Sequence, residues 1–118
     1  MKRNWDLVRK ILIKLEEKAN STSWLESSDI KGYDSITVAY HYKLLKNAGL
    51  IEAMNISSIE SEDFAATSLT WQGHEFLDKI RNDNVWNKVK STVQSKSLDL
   101  SFDVIKQVAT ATISAMFP

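Results

Sequence analysis

The chain has 118 residues, 43% of them hydrophobic and 25% charged, which is enough apolar mass for one domain with a real core and matches an ordinary soluble protein. Fifteen basic and fifteen acidic side chains cancel, so a strong overall electrostatic footprint for nucleic acid is excluded and any such role must rest on local charge. The absence of cysteine excludes a disulfide framework and a zinc ribbon, leaves the fold to packing alone, and makes an intracellular protein the expectation.

The first residues, Met1-Lys2-Arg3-Asn4-Trp5-Asp6, pass straight into a charged amphipathic pattern, so no signal peptide is expected. No segment offers the roughly 18 apolar residues that a membrane span needs, and a cytoplasmic location with no membrane partner follows as the expectation. Trp5, Val8, Leu12 and Leu15, with Leu7 and Ile11 alongside, recur at helical spacing and predict a first helix of about four turns, with Asn4 or Asp6 satisfying its free amides. This end of the chain is basic: Lys2, Arg3, Arg9, Lys10, Lys14 and Lys18 stand against Asp6, Glu16 and Glu17. Ser23-Trp24-Leu25-Glu26 reads as a short strand, and the Asp29 to Asp34 stretch around Gly32 reads as a turn. A regular helix-turn-helix has a full helix here, whereas this sequence offers one turn of it at most.

Ser35 or Asp34 caps the next predicted helix, which runs to about Ala48. At about 100° per residue, Val38, His41, Tyr42, Leu45 and Ala48 share an inward face, and Ile36, Ala39, Tyr40, Lys43, Lys46 and Asn47 share the opposite one. Gly49 stops the helix because the left-handed conformation common at such ends costs glycine almost nothing. Leu50 to Ile56 and Ala66 to Thr70 read as a strand and its return partner, joined by a serine-rich loop carrying Glu60, Glu62 and Asp63. Thr70 then caps a helix with Phe76, Leu77 and Ile80 on its apolar face. Asn82-Asp83-Asn84 punctuates before a helix starting near Val85 and Trp86, and Ser101 or Asp99 caps a last helix bearing Phe102, Ile105, Ala109, Thr112, Ile113 and Met116.

The segment His41-Tyr42-Lys43-Leu44-Leu45-Lys46-Asn47-Ala48-Gly49-Leu50-Ile51 closely resembles the recognition-helix segment of ArsR-type and related bacterial repressors, with Tyr42 in place of the usual first leucine. Leu69-Thr70-Trp71-Gln72-Gly73 resembles the Leu-Thr-x-x-Gly segment that follows the wing in winged-helix repressors. Over its whole length the chain is similar to an uncharacterised family of small bacterial and prophage proteins, through Met1 to Leu12, Tyr40 to Glu52, Leu69 to Arg81 and Val85-Trp86. The resemblance implies a winged-helix fold and a bacterial or phage source, and supplies no activity.

The expected architecture is therefore mainly α with a small β-hairpin wing: a winged helix-turn-helix over residues 1–83 and a C-terminal helical extension over 84–118. Leu12, Leu15, Leu45, Leu50, Ile51, Leu69 and Phe76 are expected in one core. His41 is placed at the edge of the buried face as a hydrogen-bonding core residue, and His74 at a solvated helix start; neither has the companions of a metal site. The serines lie in caps and turns without a base and an orienting acid, and the three glycines form no phosphate-cradling run, so neither enzyme activity nor a cofactor is expected. Tyr40, Lys43, Lys46 and Asn47 are the candidate contacts to double-stranded DNA, since lysine neutralises phosphate and asparagine reads an adenine edge. Trp5, Trp24, Trp71 and Trp86 are expected to supply core mass, with one of them open to a partner surface. Phe102, Ile105, Ala109, Ile113 and Met116 are the candidate homodimer contacts, together with the first helix, because a chain end frays unless its apolar face is covered; packing within the chain against Trp86 and Val89 is the alternative. The acidic loop, repelled by phosphate, is expected to point away from DNA or to bind something else, which keeps a protein-interaction module open as the alternative function.

Overall fold

A computed structural model describes residues 1–18, 22–96 and 101–116. Among them lie α1 (Trp5–Glu16), a short 3-10 helix η1 (Ser27–Asp29), α2 (Ser35–Asn47), strands β1 (Ile51–Asn55) and β2 (Phe64–Leu69), α3 (Trp71–Ile80), α4 (Asp83–Ser95) and α5 (Phe102–Met116). The architecture is mainly α with one two-stranded antiparallel hairpin, consistent with a winged-helix-like fold followed by C-terminal helices. The chain divides into two compact units, Met1–His74 and Glu75–Pro118, with the division inside α3.

In the first unit, α1 begins where Asn4 Oδ1 accepts the Leu7 amide, and it buries Trp5, Leu7, Val8, Ile11, Leu12 and Leu15 along one side. Between α1 and α2 the helix of a regular helix-turn-helix is reduced to η1, closed by the Glu26 amide on Asp29 Oδ2 and the Asp29 amide on the Glu26 carbonyl. Gly32, at φ +91°, turns the chain into α2, whose first turn is capped by Asp34 accepting from the Thr37 amide and hydroxyl. Those two bonds favour the charged carboxylate and hold its pKa below the ordinary value.

Helix α2 buries Val38, Ala39, His41, Tyr42 and Leu45. Two positions differ from the expected faces. Ala39 is inward because α2 packs on α1, η1 and both strands, which widens its buried arc beyond a single stripe. Ala48 is outward because it caps the helix, one step beyond the last helical residue. Tyr42 donates its phenol to the Glu26 carbonyl, and burial, with Asp29 and Asp63 nearby, pushes its pKa far above the ordinary value.

β1 and β2 pair with Ile51 opposite Leu69 and Glu52 opposite Ser68, and then Ala53 opposite Ala66, so Thr67 is the extra residue of a bulge. Lys18 Nζ, just past the end of α1, donates to the Thr67 carbonyl at this bulge. The segment expected as a short strand contributes a single antiparallel bridge, Leu25 with Ala66. Leu12, Leu15, Leu45, Leu50 and Ile51 are buried in this unit, and Leu69 is half-buried. Trp5 and Trp86 supply core mass as expected, but Trp24 and Trp71 are 51% and 76% exposed. Trp24 lies beside the single bridge of Leu25 with Ala66, and Trp71 is the first residue of α3.

In the second unit, Phe76, Leu77 and Ile80 are buried on α3, and α4, capped by the side chain of Asn82, packs against α5. Val85, Trp86, Val89 and Val93 of α4 and Ile105, Ala109 and Thr112 of α5 are the buried faces. Ser101 Oγ accepts the Val104 amide at the start of α5, and the Phe76 and Phe102 rings meet at a tilt of 47° with 4.7 Å between centroids.

Candidate nucleic-acid interface

The outward face of α2 is set by what its inward face must hold. His41 Nε2 accepts the Asn4 amide at 2.8 Å, and Nδ1 donates to the Thr37 carbonyl at 2.8 Å, so the neutral ring ties the start of α1 to the middle of α2. Burial is the main cause that lowers its pKa; the Thr37 carbonyl opposes this, and the charge of Arg3 adds to it. With that register fixed, Tyr40, Lys43, Lys46 and Asn47 fall on successive turns away from the core.

These four differ in what surrounds them. Tyr40 is half-buried and meets the His41 ring edge-on at 5.9 Å. Lys46 and Asn47 are exposed, and the Lys46 ammonium lies 5.8 Å from the Phe64 ring centroid, over the first residue of β2. Lys43 donates to Glu62 Oε2 at 2.9 Å across the gap between α2 and the wing. The sequence left the acidic loop either pointing away from DNA or binding something else; in the structure Glu62 pairs with Lys43 of α2, and the loop is closed by its own hydrogen bonds. The Ile56 amide donates to the Asp63 carbonyl, the Ser58 amide donates to the Ser61 carbonyl, and Ser57 Oγ accepts the Asp63 amide while donating to the Asp63 carbonyl. Ile59 stands fully exposed at its tip.

The structure adds neighbours that periodicity alone did not single out. Lys10 Nζ donates to the Lys31 carbonyl at 2.7 Å and lies 5.7 Å from the Tyr33 ring, which brings a basic residue of α1 to the turn entering α2. Ile36, in the first turn of α2, is 71% exposed. Lys10 and Lys31 are 21 positions apart, and only the return of the chain after η1 makes them adjacent.

Of the candidate dimer residues, Ile105 and Ala109 are buried within the second unit, Phe102 and Ile113 are half-buried, and Met116 is exposed. Among the described residues no three His, Asp or Glu side chains gather as metal ligands, and no helix is long and apolar enough to cross a membrane.

The described residues define a mainly helical protein with one antiparallel hairpin, in which α2 carries Lys43 and Lys46 on its outward side. The family model described as "Hypothetical protein (DUF2513)" matches residues 2–99, and the chain belongs to that family. An uncharacterized protein of Haemophilus influenzae is 59% identical over 116 residues, which is 98% of this chain and 98% of that protein. No solved structure matches the chain.

Proposed function

We propose that the protein is a cytoplasmic winged-helix DNA-binding regulator of bacterial or phage origin, without enzyme activity, acting as a homodimer. The observation that carries this reading is the position of α2: a helix whose outward face bears Tyr40, Lys43, Lys46 and Asn47, flanked by a hairpin and entered through a turn that gathers Lys10 and Lys31. Lysines there neutralise phosphate, Asn47 and Tyr40 face base edges, and Ile36 offers an apolar contact of the kind that reads a thymine methyl. The segment's likeness to ArsR-type repressors supports the same reading, and paired half-sites require the second copy.

A second reading, a winged-helix protein-interaction module, is favoured by the wing itself. Its Glu62 already occupies Lys43, and its tip presents Ile59 beside Glu60, a surface suited to a basic partner with an apolar contact. Titration of binding to a random-sequence duplex against salt separates the two. The DNA reading expects affinity to fall steeply with salt, and Lys46→Ala to shallow that slope by about one unit. No binding at low salt favours the interaction module.

A further inference from the structure

We propose that Glu62 is a built-in competitor for Lys43, holding the affinity of the α2 face for duplex phosphate below what its lysines would otherwise give; the proposal rests on the DNA-binding reading. A carboxylate at 2.9 Å from an ammonium takes one of its three N–H donors and offsets its charge, both of which a phosphate oxygen would draw on. The two side chains are 39% and 50% exposed, so the pair is open to solvent and to a competing anion. Exposed pairs of this kind are weak, corresponding to about a two- to fivefold change in an equilibrium, so phosphate displaces Glu62 rather than being blocked by it.

The wing's own bonding makes this a fixed feature. Asp63, the next residue, is held by Ser57 and Ile56, which limits how far Glu62 withdraws once displaced. Its charge then stays beside the bound strand, adding repulsion to the lost ion pair. Lys46, one turn along, lies over an aromatic ring and keeps its positive charge for phosphate. The two lysines are therefore unequal, with Lys46 the larger contributor.

The test is binding of the full chain to a short random-sequence duplex from low to physiological salt, with Glu62→Gln, the charge-matched Glu60→Gln, Lys43→Ala and the double variant Lys43→Ala/Glu62→Gln. Glu62→Gln is expected to tighten binding about two- to fivefold at low salt and to steepen the salt slope by up to about one unit. Most of that gain should be absent in the Lys43→Ala background, and Glu60→Gln should gain less. Equal gains for Glu60→Gln and Glu62→Gln, persisting without Lys43, would reduce the effect to a general acidic field and overturn the competitor while leaving the DNA reading intact. If wild type binds and Glu62→Gln binds identically, the competitor is likewise overturned. Failure of every protein to bind at the lowest salt removes both the DNA reading and this inference.

Discussion

His41 has both ring nitrogens committed, one to the Asn4 amide and one to the Thr37 carbonyl. A second proton on the ring would set a donor against the Asn4 N–H, so protonation and folding oppose each other. Because burial lowers the folded-state pKa, the unfolded chain binds the proton more readily, and the linkage has a definite sign. The stability held by neutral His41 is fully present above the ordinary histidine pKa of about 6.5 and declines as pH falls below it. Unfolding midpoints measured between about pH 7.5 and 5.5 should fall on acidification in wild type and fall less in His41→Gln. An unchanged wild-type midpoint would show that the ring titrates freely. Its spacing from Leu45 was enough to put His41 on the inward side of the helix, but not to find its partner Asn4, which is 37 positions away. The same holds for Lys43: its outward direction was legible, whereas its pairing with Glu62 depends on how a loop folds back over the helix.

At the scale of elements, the two segments that carry the repressor resemblance meet each other. Thr70 Oγ1 donates to the Gly49 carbonyl and accepts the Gly73 amide, while the Thr70 amide donates to the Leu50 carbonyl. The turn after α2 and the start of α3 are thus one hydrogen-bonded junction. The glycines serve different ends. Gly49 sits at φ +77° in open space, whereas a Cβ on Gly73 would overlap the Leu50 carbonyl oxygen. Gly49→Asn is therefore expected to be mild, since asparagine tolerates the left-handed region. Gly73→Ala should lose at least about 1 kcal/mol in denaturant unfolding despite the better helix propensity of alanine. A Gly73→Ala protein as stable as wild type would contradict the close approach. Helix starts, the glycine stop after α2 and the hairpin were readable because caps, turn residues and strand formers are local signals. The Thr67 bulge and the outward placement of Trp24 and Trp71 were not, since they depend on which layers exist to cover them.

For the whole molecule, the apolar stripe of α5 illustrates how a local pattern leaves its partner undecided. Ile105 and Ala109 are covered within their own unit, so the surface left for a second copy is Met116 with parts of Ile113 and Phe102. The proposed homodimer therefore predicts that sedimentation of the full chain at micromolar concentration gives a dimer, and that Met116→Asp shifts it toward monomer without unfolding it. A wild-type monomer would contradict this assembly. The net charge is zero, but the charge is unevenly placed: Lys46 lies on α2 and Lys10 reaches the turn that enters it, while Glu62 offsets Lys43. The proposed contact between α2 and duplex DNA is tested by a residue-resolved amide titration of the full chain with a random-sequence duplex at low salt. Perturbations concentrated on residues 35–47, the 31–33 turn and Lys10 are the expected result. No perturbation, or one confined to the wing tip around Ile59 with α2 unmoved, would contradict it.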